Sequence, residues 1–208
     1  MKHCRPRGIF GCISCTTGTL CVMFILSWYL FLTITHPSNV KFFVTEASLA
    51  QFNLTSNSTL FYNLKVNVTV RNPNKHVIVY YRRITAIAWY KDNDFGRVSL
   101  VPFDQGHKNT TLLQALFEGH NVITLKPEQF VEYNEETSVG VYNDLAVDFD
   151  LTIRAKYRSW FKTSRFNPPI VRCRLSRVPL ISNDKSAPTF SVTECNSGNF
   201  FLDRVVVY

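Results

Sequence analysis

The stretch Leu145–Tyr157 reads LAVDFDLTIRAKY, and its strict alternation decides the fold of this chain. Successive side chains of a β-strand point to opposite faces, so a period of two separates an apolar face from a polar one. The apolar face carries Leu145, Val147, Phe149, Leu151, Ile153, Ala155 and Tyr157. The opposite face carries Asp148, Asp150, Arg154, Lys156 and, just beyond the stretch, Arg158. The pattern predicts a strand with one face in a core and the other in water.

Similar patterns elsewhere predict further strands. Leu64–Arg71 alternates apolar and polar residues and is followed by the turn residues Asn72-Pro73-Asn74. Val77–Tyr90 is rich in β-branched and aromatic residues but is interrupted by Arg82-Arg83, so one long strand or two short strands fit. Additional strands are predicted at Lys41–Leu49, Val98–Val101, Asn121–Leu125, Ile170–Leu175 and near Phe200–Val207.

One segment has the signals of a short helix. It begins at Lys126-Pro127, where proline suits the first turn and Glu128 favours the positive end of the helix dipole. It is expected to end before Gly140. Many strands and one short helix predict a mainly β domain, an antiparallel β-sandwich.

The composition and the N-terminal region predict a membrane-anchored protein. The chain has 208 residues, 46% of them apolar and 18% charged, which favours a folded protein over a disordered one. Ile9–Ile34 contains no Lys, Arg, Asp, Glu or His. About 20 apolar helical residues cross a bilayer, so this segment is interpreted as a single transmembrane signal anchor. A cleaved signal peptide, which has a shorter apolar region, is the alternative.

Basic residues precede the anchor and orient it. Lys2, Arg5 and Arg7 favour a cytosolic N-terminus, which leaves the remainder of the chain outside the plasma membrane. The predicted organisation is a basic cytosolic tail at 1–8, the anchor at 9–34, a stalk at 35–40 and an extracellular domain at 41–208. The cysteines Cys4, Cys12 and Cys15 are candidates for acylation or, equally, small apolar filler of the anchor region.

Two features suit a secreted compartment. Four Asn-x-Thr sequons predict N-glycosylation at Asn53, Asn57, Asn67 and Asn109. Cys173 and Cys195 are the only cysteines after the anchor, and an even number in an oxidising compartment favours one disulfide. Two buried free thiols are the alternative.

Charge is distributed unevenly along the domain. Residues 118–150 carry eight acidic side chains and one lysine, whereas residues 151–183 carry eight basic side chains and no acid. The second group contains a predicted basic patch made of Arg154, Lys156, Arg158, Arg172 and Arg174. The patch either docks to an acidic surface, such as anionic cell-wall polysaccharide, lipid headgroups or a protein, or is a solvated face neutralised by Asp148 and Asp150. Nucleic acid is not expected as a partner of a domain outside the cell.

Residue patterns for catalysis or metal binding are absent. The five histidines have no metal-ligand spacing, and no nucleophile motif accompanies Asp104 and His107. No glycine-rich phosphate loop is present. We therefore expect no catalytic residues, no metal, no cofactor and no enzymatic activity.

Two motifs resemble a plant family. The first comprises Asn72, Pro73 and Asn74 followed by Tyr80 and Tyr81; the second comprises Pro102, Phe103, Gln105, Gly106, His107 and Lys108. In this order they resemble the harpin-induced-like, non-race-specific disease resistance-like proteins of the late embryogenesis abundant group-two superfamily. Turn chemistry accounts for both motifs, since proline and asparagine favour tight turns and glycine permits positive φ. Ligand contact is the alternative.

The resemblance implies a fold and a role. It implies a sandwich similar to fibronectin type III, without catalytic residues, on a single-pass plasma-membrane protein linked to plant defence and stress response. The outer domain is expected to contact cell wall, membrane or partner proteins. The alternative function is a binding module for a lipid or another apolar ligand.

Overall fold

The computed structural model describes residues 18–29, 37–157, 161–181 and 190–204. The chain forms two compact units, residues 1–37 and residues 38–208. In the first unit, residues 18–29 form a helix, α1. No helix within the described ranges combines the length and the apolar character needed to cross a membrane. The anchor expected at 9–34 extends past α1 on both sides and stays a prediction, and Cys4, Cys12 and Cys15 lie outside the described residues.

The second unit is mainly β. Its described residues contain twelve strands and one helix, α2, at Pro127–Val139. The strands are β1 (Lys41–Leu54), β2 (Thr59–Arg71), β3 (Val77–Tyr90), β4 (Asn93–Leu100), β5 (Phe103–Gln105), β6 (Thr110–Val122), β7 (Val141–Tyr142), β8 (Leu145–Tyr157), β9 (Phe161–Lys162), β10 (Val171–Leu175), β11 (Val178–Pro179) and β12 (Thr193–Glu194).

The strands form two main antiparallel sheets. Sheet I has the order β12-β1-β2-β6, and sheet II has the order β10-β8-β3-β4, with β5 on β3 and β9 on β8. The sheets pack face to face, so that the rings of Phe42 on β1 and Phe149 on β8 lie 6.1 Å apart. The predicted antiparallel sandwich is confirmed, and the closer likeness to fibronectin type III stays a prediction.

Strand β8 has the burial that its alternation predicts. The inward residues Leu145, Val147, Phe149, Leu151, Ile153 and Ala155 are all buried. Tyr157, at the end of the strand, is half-buried. A fully buried Leu, Ile, Val or Phe side chain stabilises a fold by about 1.5–3 kcal/mol, so this face holds β8 against sheet I.

The two arginines inside Val77–Tyr90 mark a β-bulge within one long strand. The register of β3 against β8 shifts between Tyr81 and Arg83, and Arg82 and Arg83 are both exposed. Ile84 then returns to the core. The extra residue of the bulge lets apolar side chains point into the core again after the two exposed arginines. The segment is therefore one long strand, and the alternative of two short strands is excluded.

The expected strand at Asn121–Leu125 was placed wrongly, because β6 covers Thr110–Val122 instead. Apolar side chains point outward on this edge strand: Leu112 is 67% exposed and Leu116 is 49% exposed. Ala115 and Phe117 are its buried apolar side chains. Apolar residues on both faces hide the period of two on which a strand prediction depends.

The expected strand near Phe200–Val207 was also wrong in its described part. Residues 200–204 form a turn and irregular backbone, and residues 205–208 lie outside the description. Phe200 is fully buried, with its ring 5.9 Å from that of Phe42. The apolar side chain of Phe200 therefore fills the core from a turn and does not belong to a strand.

The helix prediction is confirmed at both ends. The Lys126 N–H donates to the side-chain oxygen of Gln129 (3.0 Å) at the first turn. Gly140 has a φ of 75°, and its N–H donates to the carbonyl of Glu136 (2.8 Å). Glycine adopts this left-handed conformation without the steric cost of a Cβ, so it ends the helix.

Candidate functional site

The two sequence motifs meet at one end of the sandwich. The first lies where β2 of sheet I leads to β3 of sheet II, and the second lies where β5 of sheet II leads to β6 of sheet I. The buried Asn72 side-chain amide donates to the carbonyls of Val77 (2.8 Å) and Gly106 (2.9 Å). The Asn72 backbone N–H donates to the carbonyl of Asn109 (2.9 Å). One side chain therefore holds both crossings between the sheets.

Asn74 extends these contacts to the start of the second unit. Its backbone N–H donates to the side-chain oxygen of Asn72 (3.1 Å). Its side chain donates to the carbonyl of Ser38 (2.7 Å) and accepts from the Ser38 N–H (2.8 Å). The Asn74 carbonyl accepts from the N–H of Lys108 (3.1 Å). The chain thus enters the sandwich at the end where the motifs lie.

Gln105 and Tyr81 complete the buried part of this network. The Gln105 amide nitrogen donates to the carbonyl of Val70 (2.8 Å), which joins sheet II to sheet I. The hydroxyl of Tyr81 donates to the Gln105 side-chain oxygen (3.3 Å), and its ring stacks on Phe103 at 4.4 Å. Burial raises the pKa of Tyr81, so the hydroxyl keeps its proton.

We call Asn72, Asn74, Tyr81 and Gln105 the motif network. All four are buried and bonded to one another or to the backbone, as buried polar groups must be. This favours the structural interpretation of these four over ligand contact. The remaining motif residues lie nearer the surface: Pro73, Gly106 and Phe103 are half-buried, Tyr80 is on the outer face of sheet II, and Pro102, His107 and Lys108 are exposed.

The predicted cysteine pair forms a disulfide in the structure. Cys173 lies on β10, at an edge of sheet II. Cys195 follows β12, at an edge of sheet I, and its N–H donates to the carbonyl of Phe42 (2.9 Å). Both cysteines are buried. The bond therefore links the two sheets at one edge of the sandwich.

The predicted glycosylation residues all belong to sheet I or to its turns. Asn53 is exposed on β1, and Asn57 is exposed in the turn between β1 and β2. Asn67 is half-buried on the outer face of β2, and Asn109 is exposed in the turn that leads into β6. None of the four is buried, as glycan attachment requires, but the Asn67 side-chain nitrogen, which would carry the glycan, donates to Glu46 (2.6 Å). The outer face of sheet II carries no sequon.

The predicted basic patch is divided by acidic side chains. Arg172 lies opposite Asp148 on β8, and Arg174 lies beside it on β10. Arg154 is six residues from Asp148 along β8, which corresponds to about 20 Å at the rise of a strand. Arg172 contacts Asp148 at 3.7 Å. The structure thus separates Arg172 and Arg174 from Arg154 and Lys156, and Arg158 lies outside the described residues.

Arg154 and Lys156 belong to a different group of cations. They lie opposite Tyr80 and Ile78 of β3, on the outer face of sheet II. Lys162 on β9 pairs directly with Lys156, and its ammonium lies 4.7 Å from the centre of the Tyr80 ring. The Arg82 guanidinium lies 5.1 Å from the same ring. We call the group the Tyr80 cluster; its members are Tyr80, Arg82, Arg154, Lys156 and Lys162.

A second charged group, absent from the sequence predictions, fastens α2 to the sandwich. The side chain of Lys91 is almost fully covered, pairs with Glu132 of α2 and lies 3.4 Å from Asp144. The Tyr90 hydroxyl donates to Glu136 (2.7 Å), and burial together with this bond raises the pKa of Tyr90. Burial alone would lower the pKa of Lys91, but the surrounding carboxylates outweigh it and raise that pKa. The members of this group come from three separate segments of the chain. No local spacing in the sequence could therefore have predicted it.

A cleft of about 340 Å³ lies at the N-terminal end of α2. Its lining is a mixture of apolar side chains and hydroxyls: Leu54, Thr55, Ser56, Ser58, Ile123, Leu125, Pro127 and Phe130. Among the residues that the structure describes, no three His, Cys, Asp or Glu side chains lie together as metal ligands would. The cleft therefore offers apolar side chains and hydroxyl groups to solvent at this end of α2.

Comparison with known proteins places these features in a family. A family model described as "Late embryogenesis abundant protein" (LEA_2) matches residues 67–173, which include both motifs and Cys173. NDR1/HIN1-like protein 10 of Arabidopsis thaliana is 39% identical over 201 residues, covering 90% of this chain and 87% of that protein. NDR1/HIN1-like protein 3 of the same plant is 33% identical over 190 residues, covering 90% of this chain and 78% of that protein.

Proposed function

The chain belongs to the late embryogenesis abundant family and is related to the NDR1/HIN1-like proteins, and from this membership we propose a non-enzymatic role at the plasma membrane. The protein is a single-pass membrane protein with a cytosolic N-terminus and a glycosylated extracellular sandwich. The sandwich acts in plant defence and stress response by contacting the cell wall, the membrane or partner proteins.

The observation that carries this proposal is the burial of the motif network. Asn72, Asn74, Tyr81 and Gln105 direct their polar groups to one another and to the backbone inside the domain. These residues hold the two sheets together and present no reactive group to solvent. The motif network therefore supports the sandwich from inside, and the surface of the sandwich makes the contacts.

Two sequence features support the membrane topology. The uncharged run Ile9–Ile34 is long enough for a bilayer, and it ends four residues before Ser38, where the chain enters the sandwich. All four sequons and the disulfide lie in the second unit, on one side of that run. Glycans and disulfides both form in the secretory compartment, which supports an extracellular domain.

Protease protection tests the topology. Intact membrane vesicles that carry the full chain are treated with protease, with and without detergent, and the samples are then treated with an Asn-glycan-specific glycosidase. We expect the domain to be protected until detergent is added and to lose mass on deglycosylation. A matched variant with Asn53, Asn57, Asn67 and Asn109 changed to Gln should show no glycosidase shift. Digestion in intact vesicles together with an unshifted band would reverse the orientation and remove the extracellular role.

The cleft beside α2 favours a second candidate function, a binding module for a lipid or other apolar ligand. Apolar side chains such as Ile123, Leu125 and Phe130 line it, and Phe130 is 47% exposed. Native mass spectrometry of detergent extracts should then find a ligand at one per chain. A Phe130→Glu variant should lose that ligand while its unfolding remains cooperative, because the Phe130 side chain lies at the surface and not in the core. A wild-type spectrum with no bound species would reject this candidate.

A further inference from the structure

We propose that the Tyr80 cluster binds the carboxylate groups of an acidic polysaccharide, a polymer of uronic acid residues. The proposal rests on the extracellular placement of the domain argued above and specifies which surface makes the contact. It concerns the outer face of sheet II near the end where the chain enters the sandwich.

The cluster concentrates positive charge that has few acidic partners. Among the described contacts, Arg82 pairs with Asp104 at 3.3 Å, and both side chains are exposed enough for water to weaken that pair. The Arg154 guanidinium donates to the backbone carbonyl of Thr163 (2.6 Å), which neutralises no charge. Within the described part of the chain, the cluster thus places four cations around a single carboxylate.

Two of these cations oppose each other directly. Lys156 of β8 and Lys162 of β9 are cross-strand partners in the antiparallel ladder. Like charges in such positions destabilise a sheet, so the fold carries a local cost here. An anion bound beside these two lysines would make a favourable interaction with each of them. This cross-strand lysine pair is therefore a place where a bound anion would offset repulsion.

Other cations on this sheet or beside it are arranged differently. Arg83 and Arg204 both contact Asp150, at 3.1 and 3.0 Å, and Arg172 contacts Asp148. These arginines form a face that is largely neutralised within the protein. Arg174 on β10 also has no acidic partner among the described contacts, so the Tyr80 cluster is the larger of the two places where sheet II carries excess positive charge.

The shape of the cluster fits a polymer of acidic sugars. Neighbouring strands lie about 4.8 Å apart, so Lys162, Lys156, Arg154 and Arg82 offer cations at several closely spaced points along an open sheet face. The half-buried Tyr80 ring adds a flat apolar surface beside them, as aromatic rings do where one side of a ligand is apolar. The predicted glycans lie on sheet I and its turns, which leaves this face open.

The test measures binding of purified full-length protein, exchanged from detergent into an uncharged amphipathic polymer that leaves vesicles intact, to three probes: polygalacturonate, its methyl ester and phosphatidylserine vesicles. The methyl ester has the same backbone without the charge. We expect polygalacturonate to bind, with an affinity that falls as salt rises, and the methyl ester and the vesicles to bind far more weakly. Exclusive binding to the vesicles would replace the polysaccharide with a lipid surface and overturn the proposal.

Two charge-matched double variants locate the site. Lys156→Gln/Lys162→Gln should weaken polygalacturonate binding about tenfold, since each removes one exposed ion pair with the polymer. Arg172→Gln/Arg174→Gln removes the same charge about 20 Å or more away and should change affinity less than about twofold. Both should unfold cooperatively. Loss of the Lys156–Lys162 repulsion should not lower the unfolding temperature, and loss of Arg172 beside Asp148 should lower it modestly, so a selective loss of binding in the lysine variant is not due to misfolding. Equal losses in the two variants would show nonspecific attraction to a basic protein and reject the Tyr80 cluster as the site.

Because this assay uses solubilised protein, its outcome does not depend on membrane orientation. Failure of polygalacturonate to bind would reject the proposed ligand while leaving the topology intact. Failure of protease protection would reject the extracellular role while leaving the affinity measurement valid.

Discussion

The side-chain amide of Asn72 donates a 2.9 Å hydrogen bond to the carbonyl of Gly106, a residue 34 positions later in the chain. The bond joins the connection from sheet I to sheet II with the connection that returns to sheet I. A single buried amide thus couples the two halves of the sandwich at the end where Ser38 enters.

Asn72→Ala should destabilise the domain more than an ordinary surface change. It removes two donated bonds and leaves the carbonyls of Val77 and Gly106 without these partners in the interior. We expect the free energy of unfolding to fall by about 2–3 kcal/mol, the cost of buried polar groups left unsatisfied. Urea denaturation measures this. Asn63→Ala, on the outer face of β2, is the control and should cost less than about 0.5 kcal/mol; equal losses would mean that the network adds nothing.

Removal of the disulfide should also destabilise the domain. A cross-link that closes a loop of about 22 residues restricts the unfolded chain and contributes about 3 kcal/mol. Cys173→Ala/Cys195→Ala should therefore lower the unfolding temperature, and reductant should lower that of the wild type but not of the variant. Cys21→Ala changes a free, exposed cysteine of α1 and is the control. A variant as stable as the wild type would show that the sheets need no covalent link.

Stability should depend on pH through Asp148. Burial raises the pKa of Asp148 above its ordinary value, and the nearby Arg172 opposes this only in part. A raised folded pKa means that the folded state binds the proton more tightly, so stability falls as pH rises from the unfolded to the folded pKa. At pH values above the folded pKa, the charged and partly buried carboxylate lowers the free energy of unfolding by a constant amount.

Asp148→Asn should remove this cost. We expect a higher unfolding temperature than that of the wild type at pH 7, and a difference that shrinks below the ordinary pKa of aspartate, about 3.9. Thermal unfolding followed between pH 3 and pH 7 measures both. If the asparagine variant were the less stable one at pH 7, the ion pair with Arg172 would outweigh burial.

Tyr133→Phe should loosen α2 from the sandwich. The Tyr133 hydroxyl accepts from the N–H of Leu54 at 2.8 Å, and this helical residue is buried against β1. Loss of the hydroxyl leaves that N–H unpaired and should cost about 1–2 kcal/mol. Hydrogen exchange should accelerate at α2 and at Leu54. Val131→Ala, an exposed position of the same helix, is the control; equal exchange in both variants would contradict the role of the hydroxyl.

The sequence alone predicted the elements that follow local rules. The alternation in Leu145–Tyr157 identified β8 and its buried face because the period of two is a property of the backbone itself. Proline at the start and Gly140 at the end predicted α2 for a similarly local reason. Edge strand β6 escaped this reasoning because Leu112 and Leu116 are apolar and yet exposed.

Tertiary structure decided which of these elements meet. The bond between Asn72 and Gly106, the division of the basic patch and the pairing of Lys156 with Lys162 all depend on the register between strands. A local pattern states which face a side chain occupies, but not which residue of another strand lies beside it. That choice follows from packing the whole core at once, because a shift of register moves every side chain of a strand relative to its neighbour.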